Sequence, residues 1–201
     1  MAKFENTYFD SLISLIHLIS VYDDVGNGLD LTESIKNIGN LILTQADFGK
    51  KLLFIGNGAS AAISSHMATD FCKNRNVRAM ALNDSSLLTC MSNDYGYNHV
   101  FEKPIEIFAD EGDILFAISS SGKSENILRG ARAAKLKGCT IVTLSGFNND
   151  NPLTTEGIFN FHVPSNSYGP VEIIHHSICH CILDTIKRDK NCPIMSLTAT
   201  N

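Results

Sequence analysis

Residues 51–74 read KLLFIGNGASAAISSHMATDFCKN, and the order of residue types along them decides the fold. Leu52 to Ile55 is an apolar run of strand length, suited to a strand buried on both faces of a parallel sheet. It ends in Gly56-Asn57-Gly58-Ala59-Ser60, where two glycines permit a tight turn and a close approach of the backbone to a ligand. Ala61 to Phe71 then continue as a helix. A strand, a Gly/Ser turn and a helix N-terminus together suit an anion, usually a phosphate, because free N–H groups and the helix dipole converge on it. His66 and Asp70 stand four apart and so share one face of that helix, just beyond the turn.

The pattern recurs downstream. Asp113 to Ile118 (DILFAI) is a second buried-type strand, which runs into Ser119-Ser120-Ser121-Gly122-Lys123-Ser124 and a helix through Leu136. Four serine hydroxyls with helix N-terminal amides can surround a phosphate without a metal. Neither turn is a Walker A loop, and Ala61 stands where GxGxxG needs its third glycine. Arg78 to Leu82, Cys139 to Leu144 and Ile158 to Val163 supply three more strands, so the expected architecture is a doubly wound α/β fold with a five-stranded parallel sheet. Such sheets bind ligands beyond the carboxyl ends of their strands, where both turns fall. Between the second and third strands, Asn83-Asp84-Ser85-Ser86 caps a short helix through Leu87 to Met91. Ser92-Asn93-Asp94-Tyr95-Gly96-Tyr97 follows as a polar loop, and a helix over residues 100–108 comes after it.

Residues 4–22 carry Phe4, Phe9, Leu12, Ile13, Leu15, Ile16, Leu18 and Ile19 at helical spacing, more apolar surface than a lone surface helix needs. Packing on another subunit or burial in the core would each absorb it. Residues 31–46 form a second helix with Thr32 or Asp30 as cap. At the other end, PVEIIHHSICHCILDTIK (170–187) is a helix on which Glu172, His176 and His180 fall at i, i+4 and i+8, with His175 beside them. Histidine and carboxylate are the ordinary ligands of zinc.

The 201 residues suit one domain, and 44% hydrophobic and 18% charged residues are the proportions of a globular protein. A net charge of −5 argues against a nucleic-acid surface, which needs a basic patch. The only basic cluster, Lys187-Arg188-Asp189-Lys190, reads as a solvated tail. No apolar run is long enough to span a membrane and no signal-peptide pattern is present, so the setting expected is cytoplasmic. The six cysteines form no CxxC pair and read as small buried hydrophobes in a reducing compartment.

Four motifs taken together, GNGxS with a histidine on the next helix, the Asn-Asp-Tyr-Gly-Tyr loop, SxSGxS and ExxHxxxxH near the C-terminus, resemble the SIS (sugar isomerase) domain family. The likeness runs over residues 5–188 and is strongest to its phosphoheptose isomerase group. That resemblance implies an aldose–ketose isomerase converting sedoheptulose 7-phosphate to D-glycero-D-manno-heptose 7-phosphate for surface polysaccharide. By resemblance, Asn57, Gly58, Ala59 and Ser60 line the sugar-phosphate site, Asn93 and Asp94 meet the sugar hydroxyls, and Ser119, Ser120, Ser121 and Ser124 take the phosphate. His66, Asp70, Glu172 and His180 would hold one divalent metal per subunit, zinc. Asp70 would act as base and His180 as its acid/base partner, with Glu172 also reaching the substrate. Asp70 and Glu172 stand where the family has glutamate and glutamine, and His176 is a spare candidate ligand. The family implies a homotetramer, here an N-terminal helical segment (1–48), the SIS domain (49–188) and a tail (189–201). The competing expectation is a non-catalytic sugar-phosphate-binding module of the replication-initiator-associating type, which would lack the acid/base groups retained here.

Overall fold

The computed structural model describes residues 2–186, and side chains from residue 7 onward; the tail at 189–201, the 187–190 cluster and Cys192 lie outside the described residues. Seven strands, β1 (Ser20–Tyr22), β2 (Gly28–Leu29), β3 (Leu52–Gly56), β4 (Ala79–Ala81), β5 (Ile114–Ser119), β6 (Thr140–Gly146) and β7 (Phe159–Val163), form one sheet in the order β2-β1-β7-β6-β5-β3-β4. Among the described residues seven α-helices accompany them: α1 (Ala2–Ile16), α2 (Leu31–Asp47), α3 (Ala59–Arg75), α4 (Ser85–Tyr95), α5 (Glu102–Phe108), α6 (Glu125–Leu136) and α7 (Tyr168–Thr185). The five strands from β3 to β7 are parallel, as expected.

The expected count of five is corrected by a small hairpin. The helical pattern through residue 22 stops at Ile16, and β1 turns back to pair antiparallel with β7, Val21 opposite Phe161. The pairing partner lies at the far end of the chain, and its backbone groups offer the hydrogen bonds that a continued α1 would otherwise have kept within itself.

Each parallel strand divides its side chains between two faces. Leu52 and Phe54 join a cluster with Ile63, Met67 and Phe71 of α3 and Ile174, Ile178 and Ile182 of α7; Leu53 and Ile55 join Ile105 of α5 and Ile127, Ala131 and Ala134 of α6. Strand β3 leads by crossover to β4 on one side, and the chain then returns to β5 on the other, so the sheet's topological switch lies between β3 and β5. Gly56 is level with Ile118, so the first turn and the serine turn leave the sheet side by side. At the opposite ends of these strands, the buried Asp113 carboxylate accepts from the Lys51 backbone N–H, the Asp110 N–H and the Lys51 ammonium at 2.6 Å, which locks β3 to β5.

The cysteines depart from expectation. Cys179 is buried and Cys139 partly so, but Cys72, Cys90 and Cys181 are exposed and free, each on a helix face turned away from the core. No described helix is long and apolar enough to cross a membrane.

His175 predicts an acid sensitivity. Its ring is fully buried, Nε2 donates to the Ser145 carbonyl at 3.0 Å, and Nδ1 has no partner. Burial pushes its pKa down to about 4, against the opposing hydrogen bond. An unfolded histidine titrates near ~6.5, so below that pH the unfolded chain takes up a proton that the folded chain refuses. The stability due to neutral His175 is therefore complete above pH ~6.5 and lost as pH falls toward the folded value, by about 2–3 kcal/mol between pH 7 and 4.5. Urea unfolding at the two pH values should show a loss that is smaller by this amount in His175→Leu, the remainder coming from groups such as His162 and His176, whose pKa values burial also lowers.

Candidate functional site

The first turn is built by sterics. A Cβ on Gly56 would fall 2.5 Å from the Ser60 backbone carbonyl, so only glycine lets α3 start this close to the strand end. Gly58 caps α3 at φ +56, and no side chain caps the first N–H groups. The serine turn is built similarly, with Gly122 at φ +62 and its N–H bonded to the Ser119 carbonyl at 3.0 Å. Ser124 caps α6 without using its hydroxyl on that helix; its Oγ lies 3.5 Å from Ser119 Oγ. Neither helix start at this crevice is thus closed by a side-chain cap from its N-cap residue, although the Ser60 and Ala61 N–H groups already donate to the Asn57 and Gly58 carbonyls and the Ile127 N–H to the Ser124 carbonyl.

Asn57 and Asn126 tie the two turns together. Their amides pair reciprocally at 3.0 and 2.9 Å, and the Tyr97 hydroxyl donates to Asn57 Oδ1 at 3.1 Å. Asn126 does not stand out in the sequence, although an asparagine in the first turn after a serine-rich loop is a signal of position; Tyr97 closes the Asn-Asp-Tyr-Gly-Tyr motif, whose expected contacts fall on Asn93 and Asp94 instead.

Two recesses open here. One, about 160 Å³, is lined by Asn57, Ser60, Ser119, Ser120, Ser121 and Ser124, with Ile118, Tyr168 and Glu172. The other, about 540 Å³, is lined by His66, His176, His180 and Glu172 with Ala59, Ala62, Ile63, Ile173 and Ser177. Glu172 is common to both. Among the described residues no hydrogen-bonding or ionic partner claims its carboxylate.

The three imidazoles converge from two helices. His176 and His180 are one turn apart on α7, and His66 faces them from α3; ring centroids are separated by 4.6 to 5.4 Å. One ligand atom from each lies within 4.8 Å of the others. Burial, then the neighbouring His180 and His66, hold the His176 pKa below its ordinary value, against the pull of Asp70. Asp70 is the outer member: its carboxylate sits 3.3 Å from His66 Nε2, and it lines neither recess.

The sequence-derived site is thus largely assembled, with exceptions. Gly58 is exposed and lines neither recess. Residues 92–95, expected as loop, complete α4, because Asp84 caps that helix on the Ser86 and Leu87 amides and Gly96 at φ +86 ends it. Asn93 and Asp94 therefore lie on an exposed helix end, with the Asn93 amide donating to Asp94 at 2.8 Å, and line neither recess. Tyr97, three residues beyond Asp94, is the one that reaches the crevice.

Comparison with known proteins gives a consistent picture. The SIS domain family matches residues 28–146, which ends before α7. The chain is 32% identical over 165 residues to a phosphoheptose isomerase of Helicobacter hepaticus, covering 79% of this chain and 84% of that one. It is 35% identical over 166 residues to one of Shewanella denitrificans, at 79% and 85% coverage. Among solved structures, a phosphoheptose isomerase from Neisseria gonorrhoeae superposes with a TM-score of 0.79 at 26% identity, covering 92% of this chain and 99% of that one. One from Francisella tularensis gives 0.78 at 27% identity, covering 92% and 97%.

Proposed function

The chain belongs to the SIS domain family, within its phosphoheptose isomerase group, and we propose that it interconverts sedoheptulose 7-phosphate and D-glycero-D-manno-heptose 7-phosphate. The observation that carries the reading is Glu172, which has the serine recess on one side and the histidine recess on the other. A sugar phosphate anchored on Ser119, Ser120, Ser121 and Ser124 and on the two helix N-termini would present its carbonyl end toward Glu172. This product would feed heptose synthesis for surface polysaccharide.

Isomerisation takes a proton from C1 of the ketose, passes through an enediol, and returns a proton to C2, while the oxygens exchange theirs. We assign the carbon-bound proton to the Glu172 carboxylate, which removes it from C1 and delivers it to C2. The base role expected of Asp70 is reassigned because Asp70 is engaged with His66 and lines neither recess. His180 serves the oxygens, as acid to O2 and base to O1. The imidazole cluster suits a divalent metal in its donor chemistry, and zinc bound there would polarise the sugar carbonyl. Retention of these groups favours an enzyme over a binding module. Following the C1 and C2 protons of sedoheptulose 7-phosphate by NMR in D₂O tests the reading: isomer formation with deuterium at C2 is expected, and no turnover by zinc-loaded protein would refute it.

The assembly proposed is a homotetramer joined through α1. Phe9 (62% exposed), Ile13 (55%) and Ile16 (40%) form an apolar stripe at i, i+4 and i+7 that no described residue of the chain covers. Introducing Phe9→Glu with Ile13→Glu should shift the sedimenting species from tetramer toward smaller forms; an unchanged sedimentation coefficient would count against this face. The free cysteines support a reducing, cytoplasmic setting.

A further inference from the structure

The likeness to phosphoheptose isomerases points to a metal shared among His66, Asp70, Glu172 and His180, but the donors in this chain are arranged differently. We propose that this chain holds its metal through three imidazoles, His66, His176 and His180, and keeps both carboxylates out of the ligand set. The inference rests on the isomerase site proposed above and concerns what its metal touches.

Four observations support it. Among the described residues, the one group of histidine, cysteine and carboxylate atoms that could surround an ion is these three, mutually within 4.8 Å. The Nε2 of His176 is shielded from water and has no hydrogen-bond partner, a cost of burial that a bound metal would remove. Asp70 stands beside His66, its carboxylate 3.3 Å from Nε2, the place of an outer partner; a carboxylate behind a ligating histidine fixes its tautomer and raises its basicity. Glu172 lines the same recess yet contributes no atom to the converging group, so its carboxylate is left to the sugar.

Three neutral donors and one open position are the arrangement of a catalytic zinc, and the recess gives a sugar oxygen access to that position. A histidine bound through one nitrogen keeps the other, so His180 can ligate and still meet a sugar oxygen. Each histidine must be neutral to bind, and metal uptake should therefore release protons below neutral pH.

The test measures zinc and cobalt affinity of metal-stripped full-length protein by chelator competition, with no sugar present. His176→Gln, which keeps the bulk of the side chain, and His176→Ala should each bind at least about 100-fold more weakly, beyond what loss of an outer partner usually costs. Asp70→Asn should lose about 10-fold, and Glu172→Gln should stay within about 3-fold of the parent. The cobalt form should show the intense visible absorption of a four-coordinate ion, unchanged in Glu172→Gln. Native-like circular dichroism with lost metal in His176→Gln supports the assignment. It is overturned if Glu172→Gln loses metal as severely as His176→Gln, if His176→Gln binds like the parent, or if the parent binds neither ion. Tight zinc through the three histidines with no turnover would sink the isomerase reading and leave the ligand set standing. Turnover with metal lost in Glu172→Gln and kept in His176→Gln would do the reverse.

Discussion

Glu172→Gln should lower kcat by about 10²- to 10⁴-fold, the range over which one positioned proton-transfer group contributes, while KM changes far less. The amide keeps the length and shape of the side chain but cannot accept a carbon-bound proton. The loss should therefore appear equally in kcat and kcat/KM, the mark of an interaction made in the transition state. Exchange of solvent deuterium into C1 and C2 should vanish with it. Asp70→Asn makes the contrast: Asp70 touches His66 and not the recesses, so its loss should be nearer 10-fold and should be relieved by excess metal. The double variant Asp70→Glu with Glu172→Gln restores the pair that the family resemblance carries at these positions. It should recover at least about tenfold of the rate lost by Glu172→Gln alone, because the longer carboxylate on α3 extends toward the recess that Asp70 stops short of. A Glu172→Gln enzyme within threefold of the parent, with Asp70→Asn inactive, would return the base role to Asp70.

The second large effect belongs to Gly122→Ala. A Cβ at this position would lie 1.8 Å from Asn151 Oδ1 and 2.2 Å from its Cγ. Asn151 cannot easily give way: it is 1% exposed, its amide donates to the Ser145 hydroxyl and to the Gly146 and Asn148 carbonyls, and its oxygen accepts from the Leu153 N–H. The φ of +62 adds a left-handed penalty of about 1–2 kcal/mol for any residue with a β-carbon. With overpacking of about 1–3 kcal/mol, a loss of about 2–5 kcal/mol is expected, or a Tm lower by about 5–15 °C for a chain of this length. The surviving enzyme should show a raised KM for sugar phosphate, since the serines hang on this turn. The exposed neighbour Lys123→Ala should stay within about 0.5 kcal/mol. A Gly122→Ala protein that melts like the parent would show that the turn has slack this structure denies.

How far each feature was legible follows from where its partners lie. Leu52–Ile55 and Asp113–Ile118 announce buried parallel strands because both faces must be apolar, and the glycine and serine turns beyond them are local chemistry. Ser20–Tyr22 was opaque: its residues extend the apolar spacing of α1, and only pairing with a strand some 140 residues away converts them to β-structure. The extent of α4 is hidden because Asn93 and Asp94 carry turn propensity, while the cap at Asp84 and the stop at Gly96 set the helix ends. His176 lies midway between Glu172 and His180 on one helical stripe, so any site that recruits the outer two must confront the middle one. Which carboxylate stands free and which serves a histidine depends on the crossing of α3 and α7, and spacing along either helix is silent on that.

The hairpin at the sheet edge has a consequence for how copies of this chain can meet. β2, two residues long, ends the sheet on one side, and β4, three residues long, ends it on the other. Neither offers the long row of unpaired amides that would let a neighbour extend the sheet by strand addition. The tetramer proposed above would therefore rest on side-chain packing between helices, a contact whose strength and register can be tuned one residue at a time. A variant that strips the hairpin from β7 would expose a five-residue parallel edge, and the resulting danger is open-ended stacking into aggregates, a failure distinct from dissociation to single chains.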